Sequence, residues 1–369
     1  MNWNEIRAQF PALRNWTFLN TASFGQVPLR AKAALDRHFA RRDELACHDF
    51  IDWFDDMDGI RELAARLINC TASDIAFIPN ASTALSLLMG GLAWKSGDQI
   101  VTLQDEFPNH YYYPEHLRHA GVEFIEVPFE RFYDSITPRT RLVALSSVNY
   151  ITGFRPPLER ISHFLRGRGV LFYVDGTQSV GALRLDVAKI QPDMLAVHGY
   201  KWLLSPNGAG FLYASPALRE RLAPAVIGWR SDRNWRGVDS LHHGEPEFSN
   251  SAAKYEGGML PFALLYAMGE SIRMHFEIGP ERIERRALEL AAETVTILQQ
   301  AGGRVLHHDS PIVAAHFGDR DVPALNRALE AERVLVATRH GNLRVSPHFY
   351  NNEADLARLA VALQRFGDN

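Results

Sequence analysis

The stretch VDGTQSVGALRLDVAKIQPDMLAVHGYKW, residues 174–202, reads as the end of one buried strand, a helical crossover and a second buried strand. Asp175 closes the apolar run LFYV, and Lys201, 26 residues further on, stands between Tyr200 and Trp202. An Asp at a strand end commonly makes a turn or caps a helix, and a Lys beside aromatics commonly snorkels to the surface. The alternative is that both charges reach into one site, and the flanking segments decide between the two.

Working outward, the chain from Asp74 alternates strand and helix signals: DIAFIP, ASTALSLLMGGLAW, DQIVTL, a helix from about Pro114, VEFIEVP, RLVALSS, PPLERISHFLRG, VLFYVD and DMLAVHG. Strands separated by helices imply a parallel sheet with right-handed crossovers, and ligands in such sheets sit beyond the carboxyl ends of the strands. Asn80 to Thr83, Asp105 to Asn109, Ser146 to Gly153, Asp175 to Gln178 and His198 to Lys201 then fall along one edge. GAGFLYAS at 208–215 adds a strand, and 222–254 is irregular and polar. Two long helices follow in PFALLYAMGESIRMHF and GPERIERRALELAAETVTILQQAG, and the last third alternates again. Residues 1–19 read as a short amphipathic helix, followed by the small-residue loop LNTASFG and a helix from about Leu29 to Leu45. The expected architecture is α/β: a large, mostly parallel sheet domain at 21–245, and a smaller α+β domain formed by 1–20 with 250–369.

At 369 residues and 46% hydrophobic, the chain can bury a core for such a pair of domains. Its net charge of −4, with charges interspersed, argues against a nucleic-acid or membrane-surface partner. Cys47 and Cys70 form no disulfide framework or metal spacing, which suits a reduced cytoplasmic protein. The N-terminus lacks a signal-type apolar core, and the run 84–94 is too short to span a membrane. The pairs His242/His243 and His307/His308 lack supporting ligands, so no metal site is expected.

Each candidate site residue has a plain reading beside a chemical one. In PNASTAL at 79–85, Ser82, Thr83 and the first helical amides suit a phosphate, although Asn, Ser and Thr are also the ordinary helix caps. Phe107 offers a face for a flat ring, and is otherwise core. Asn149, Tyr150 and Thr152 can hydrogen-bond a phenolic oxygen or a phosphate, or simply make a polar loop. Arg344, with Arg339 before it, has the guanidinium fork that fits a substrate carboxylate. Together with Asp175 to protonate a pyridine nitrogen and Lys201 to condense with an aldehyde, these supply what pyridoxal phosphate chemistry needs.

In this combination the chain resembles the class V aminotransferases of fold type I, a family of pyridoxal phosphate enzymes that includes cysteine desulfurases, kynureninases and isopenicillin N epimerase-like proteins. The likeness runs from LNTASFG to RVSPHFYN. VDGTQSVG with HGYKW resembles the family's cofactor block, which implies Asp175 as pyridinium partner, Gln178 at the phenolic oxygen and Lys201 as the Schiff-base lysine. NAST resembles the phosphate turn and implies Ala81 and Ser82. FPN, VNYITG and the Tyr before the lysine imply Phe107 over the ring, with Thr152 and Tyr200 at the cofactor. His198 stands where relatives often carry a phosphate-contacting hydroxyl, and RVSPHFYN implies Arg344, with Asn149 beside it, at the substrate.

Two departures stand out. No cysteine follows Cys70, which argues against desulfurase-type persulfide chemistry, and in KYEGGMLPF Met259 replaces a threonine that often reaches the phosphate across a dimer interface. The resemblance implies a homodimer and an amino-acid substrate, with transamination first and a lyase, a kynureninase-like hydrolase or an epimerase as alternatives. A cofactor binder without turnover would not need Arg344. Specificity is expected from loops around Phe24, Tyr111, Trp229 and Arg230.

Overall fold

The computed structural model describes residues 2–240 and 244–367. The pair His242/His243 therefore lies outside the described residues.

Seven strands form the large sheet: β1 (Ile75–Ile78), β2 (Gln99–Leu103), β3 (Glu123–Val127), β4 (Thr140–Ser146), β5 (Leu171–Asp175), β6 (Met194–His198) and β7 (Gly210–Ala214), in the spatial order β1-β7-β6-β5-β4-β2-β3. All neighbours run parallel except β7, which is antiparallel to both β1 and β6. The strands are apolar on both faces, because each face is covered. Val101, Val143, Val174 and Leu195 join the core under the helices Phe50–Ile68 and Phe262–Ile278. Ile100, Leu142, Tyr173 and Met194 point the other way, into a second core with the helix Ala81–Gly91. Register pairs Ser146 with Asp175 and Asp175 with Ala196, which brings the polar residues after β1, β2, β4, β5 and β6 to one edge.

A four-stranded sheet carries the last third, with Val313–His316 paired to Asn342–Val345 in antiparallel register. The N-terminal segment forms a separate two-stranded sheet, Thr17–Phe18 pairing parallel with Val334–Leu335, and Asn20 bridges to Ser346. The expected helix over 1–19 is interrupted. It spans only Trp3–Ala8, because Phe10 precedes Pro11 and is held out of helical geometry. The helix expected from Pro114 starts earlier, at Asn109, where Pro108 presets the first turn.

Candidate active site

Lys201 is set by a tight, three-way contact. The amide of Gly25 donates to the Tyr200 carbonyl (2.8 Å), and the Leu204 amide donates to the Lys201 carbonyl (3.2 Å). A Cβ at Gly25 would stand 1.9 Å from that carbonyl oxygen. At Gly181, whose φ is +108°, a Cβ would meet the Trp202 carbonyl at 2.3 Å. Trp202 Nε1 donates to Gln178 Oε1 (2.9 Å), Gln178 Nε2 donates to the Ala22 carbonyl (3.1 Å), and His348 Nε2 donates to the Trp202 carbonyl (2.9 Å). The loop LNTASFG, the turn after β5 and the turn after β6 are thereby locked together.

Beside them lies a cavity of about 220 Å³, lined by the helix start Asn80, Ala81 and Ser82 and by Phe107, Asn109, Ser146, Tyr150, Asp175, Thr177, Gln178, His198, Tyr200 and Lys201. Asp175 and Lys201 are 7% and 6% exposed. Among the described residues neither forms an ion pair within 4 Å, so two opposite charges face one small cavity without meeting. Burial, reinforced by Arg344 and opposed by Asp175, pulls the Lys201 pKa down to about 7. Asp175 Oδ1 takes the Thr177 amide (2.8 Å), which fixes the carboxylate.

The ordinary capping reading of PNASTAL holds for Asn80, whose Oδ1 accepts from the Thr83 amide (2.9 Å) and hydroxyl (3.2 Å). Capping by Asn80 leaves the amides of Ala81 and Ser82, at the positive end of an 11-residue helix, lining the cavity. His198 has its Nε2 buried without a hydrogen-bond partner, and burial pushes its pKa down to about 4, so the ring is neutral. Phe107, 37% exposed, and Tyr200 wall the cavity, with ring centroids 5.6 and 5.4 Å from Lys201 Nζ. Free helical amides, an unpartnered imidazole, a fixed carboxylate, an unpaired amine and an aromatic wall fit the groups of pyridoxal phosphate one by one.

Asn149 and Thr152 lie elsewhere. They line an adjoining cavity that shares only Ser146 with the first. Asn149 Oδ1 accepts from the amides of Ile151 and Thr152 and from the Thr152 hydroxyl, and Asn149 Nδ2 donates to the Asp105 carbonyl. These side chains build their own turn and line the adjoining cavity, not the one that holds Asp175 and Lys201. Trp229 and Arg230 are also remote. Arg230 pairs with buried Glu256 (2.8 Å), and both residues pack on Phe54, so neither lines this cavity from within the same chain. Tyr111 turns inward too, taking the Glu106 amide (2.6 Å).

Arg344 is 1% exposed and has no carboxylate partner among the described residues. Its Nη1 donates to the Tyr150 carbonyl (2.6 Å), its Nη2 to Ser23 Oγ (2.6 Å), and its Nε is buried without a partner. Arg339, half-buried, donates to the same Ser23 Oγ (3.1 Å). Two guanidinium groups thus converge on one hydroxyl next to Tyr150, which lines the cavity. Burial is the main force lowering the pKa of Arg344, followed by Arg339. Sequence reasoning named Arg339 beside Arg344 but not Ser23, which lies in the small-residue loop LNTASFG. Met259 is 59% exposed, as are Val226 (49%) and Ile227 (60%) near it.

The sequence model of the family described as Aminotransferase class-V matches residues 45–359. A probable cysteine desulfurase of Methanothermobacter thermautotrophicus is 26% identical over 99% of this chain and 98% of its own length. An isopenicillin N epimerase of Amycolatopsis lactamdurans is 30% identical over 98% of both. Among solved structures, a mutant of the C-DES protein with glycine covalently linked to its pyridoxal phosphate cofactor superposes with a TM-score of 0.89, covering 97% of this chain and 98% of that one at 24% identity. That likeness is one of fold.

Proposed function

The chain belongs to the class-V aminotransferase family and has the fold of the type I pyridoxal phosphate enzymes, and from that premise we propose that it transaminates an α-amino acid, with Lys201 as the covalent and proton-moving lysine. The observation that carries the reading is the pair of buried, unpaired charges, Asp175 and Lys201, facing one cavity. When bound there, pyridoxal phosphate supplies an aldehyde for the substrate amine and an electron-poor ring that takes up charge from Cα.

The chain's own residues do the rest. The amides of Ala81 and Ser82, with His198, bind the phosphate. Asp175 would hold a proton on the ring nitrogen, and Gln178, braced by Trp202 and Ala22, would meet the phenolic oxygen. Phe107 and Tyr200, which wall the cavity, would hold the ring. Arg344, with Arg339 beside it, takes the substrate carboxylate that its buried guanidinium lacks among the described residues. Lys201, with a pKa brought to about 7, removes the Cα proton near neutrality and returns it on the same face. A single amine base suits that one-face proton shift, and Phe107 has no proton to offer. A second reading, epimerisation, rests on the phenols of Tyr150 and Tyr200 in the same cavity, either of which would serve as a second proton carrier.

Exposed Val226, Ile227 and Met259 support a homodimer, in which a methionine cannot make a threonine's phosphate contact. Two unpaired thiols suit the cytoplasm. The test is to incubate cofactor-loaded protein with a panel of L-amino acids and to chromatograph the released cofactor. Pyridoxamine phosphate with the matching 2-oxo acid supports transamination. Substrate racemisation with the cofactor unchanged moves epimerisation ahead, and a spectrum without any cofactor band refutes both.

A further inference from the structure

Arg339 and Arg344 rise from one hairpin. Ala337–Arg339 pairs antiparallel with Asn342–Val345, Arg344 lying opposite Ala337 and Arg339 opposite Asn342. Opposite residues of an antiparallel pair share a face, as do residues two apart along a strand, so the two arginines are diagonal neighbours on one face. His340 and Gly341 make the turn with φ of +47° and +77°, the left-handed pair that a two-residue loop of the I′ type requires. Asn342 Nδ2 donates to the carbonyls of Arg339 (3.3 Å) and His340 (3.2 Å) and ties the turn down. The position of Arg339 is therefore built into the hairpin.

The residues beside this pair belong to the cavity that holds Asp175 and Lys201. Tyr150, whose carbonyl takes Arg344 Nη1 (2.6 Å), lines it, and so does Tyr200, against which Phe24 packs at 5.3 Å between ring centroids. Ser23, next to Phe24, is where the two arginines meet: Arg344 Nη2 and Arg339 Nη2 donate to its Oγ at 2.6 and 3.1 Å, while Arg339 Nη1 turns back to the Thr338 carbonyl (2.7 Å). Among the described residues no carboxylate lies within 4 Å of either guanidinium, and Nε of Arg344 is buried without a partner. The acids around Tyr150 are engaged elsewhere. Exposed Asp105 stands 3.8 Å from His340 Nδ1, and buried Glu106 takes the Ser146 amide (2.7 Å) and stands 3.4 Å from His110 Nδ1. Burial and Arg339 lower the pKa of Arg344 to about 9, and what opposes them is the phenols of Tyr150 and Tyr200 rather than a carboxylate.

One α-carboxylate occupies one guanidinium fork. A second guanidinium beside the same cavity, also without a counter-charge, calls for a second anionic group, since buried charge left unanswered is costly. We infer that the substrate is an amino dicarboxylic acid, its α-carboxylate on Arg344 and the carboxylate of its side chain on Arg339. The assignment rests on the amino-acid chemistry proposed above and narrows it. Guanidinium heads that share one hydroxyl are as close as the two ends of a short dicarboxylate. Arg344 is the deeper of the two, 1% exposed against half-buried Arg339, which sets the α-carboxylate inward and the side chain toward the opening.

Dicarboxylates without an amine cannot react with the cofactor, so their binding is read apart from turnover. Cofactor-loaded protein is titrated by calorimetry with succinate, glutarate, propionate and butyrate at equal ionic strength. The dicarboxylates are expected to bind at least ~10-fold more tightly than the monocarboxylates, a preference that falls to ~2-fold or less in Arg339→Gln. Tighter binding of succinate identifies an aspartate-like side chain, and tighter binding of glutarate a glutamate-like one. Should the variant not fold, the ratio in the unaltered protein decides. Equal affinities for the two kinds of acid, or a loss in Arg339→Gln as large for propionate as for succinate, overturn the inference. A protein that takes up no cofactor overturns the function proposed above and this inference with it, whereas cofactor uptake with equal affinities overturns this inference alone.

Discussion

Replacing Lys201 by methionine should stabilise the cofactor-free protein at neutral pH while abolishing its activity. The amine is held in a site that disfavours its charge, with burial as the main cause, and its pKa falls from 10.5 to about 7. In the unfolded chain it titrates near ~10.4. Between those values the unfolded chain carries a proton that the folded chain lacks, so stability falls as pH falls, by about 1.4 kcal/mol per pH unit. Below pH 7 both states are protonated and the penalty is constant, at up to about 5 kcal/mol. Methionine keeps the volume of the lysine stem and carries no proton. The expected gain is therefore largest at pH 7, about 2 kcal/mol at pH 9, and near zero above pH 10.5. Urea unfolding of both proteins at pH 7, 8 and 9 measures it, other titrating groups cancelling in the difference. A gap that does not narrow with rising pH, or a variant less stable than wild type at pH 7, would refute the assignment of Lys201 as a desolvated amine.

Three further outcomes follow from the same geometry. Arg344→Lys keeps the charge and loses the fork, and kcat/KM should drop roughly 10²-fold or more, chiefly through KM, with the cofactor spectrum unchanged; steady-state kinetics on whichever amino acid is turned over decides it. Gly25→Ala places a Cβ against the Lys201 carbonyl and should cost about 3 kcal/mol or more together with cofactor retention, seen as a lowered melting point and a reduced cofactor absorbance after dialysis. A Cys47→Ala/Cys70→Ala protein should keep its activity within about 3-fold, because the Cys70 thiol is pushed up to about 12 by burial and is inert near neutrality, and neither cysteine lines the cavity. An abolished reaction in that double variant would instead point to thiol chemistry.

The order of elements and the edge on which the chemistry gathers were legible in the chain, because strand and helix periodicities are local and a parallel sheet places its strand ends together by topology. Asp175, Lys201, Ser82 and Phe107 could be chosen for that reason: each follows an apolar run that had to be a buried strand. Asn149 and Thr152 follow such a run as well, yet three residues of one turn satisfied each other before any ligand could, and only the folded loop shows that choice of partner. Arg344 was legible by residue type, but its want of a carboxylate and its sharing of Ser23 with Arg339 depend on a contact 321 residues distant along the chain. Trp229 and Arg230 lie in an irregular segment that has no period to follow, and packing on Phe54 and, for Arg230, pairing with Glu256 fix where they sit within the chain. The sequence alone determined which elements form and which edge carries the site. Tertiary packing decided which polar groups remain unpaired there, since a hydrogen bond or ion pair is set by distance in space and not by separation along the chain.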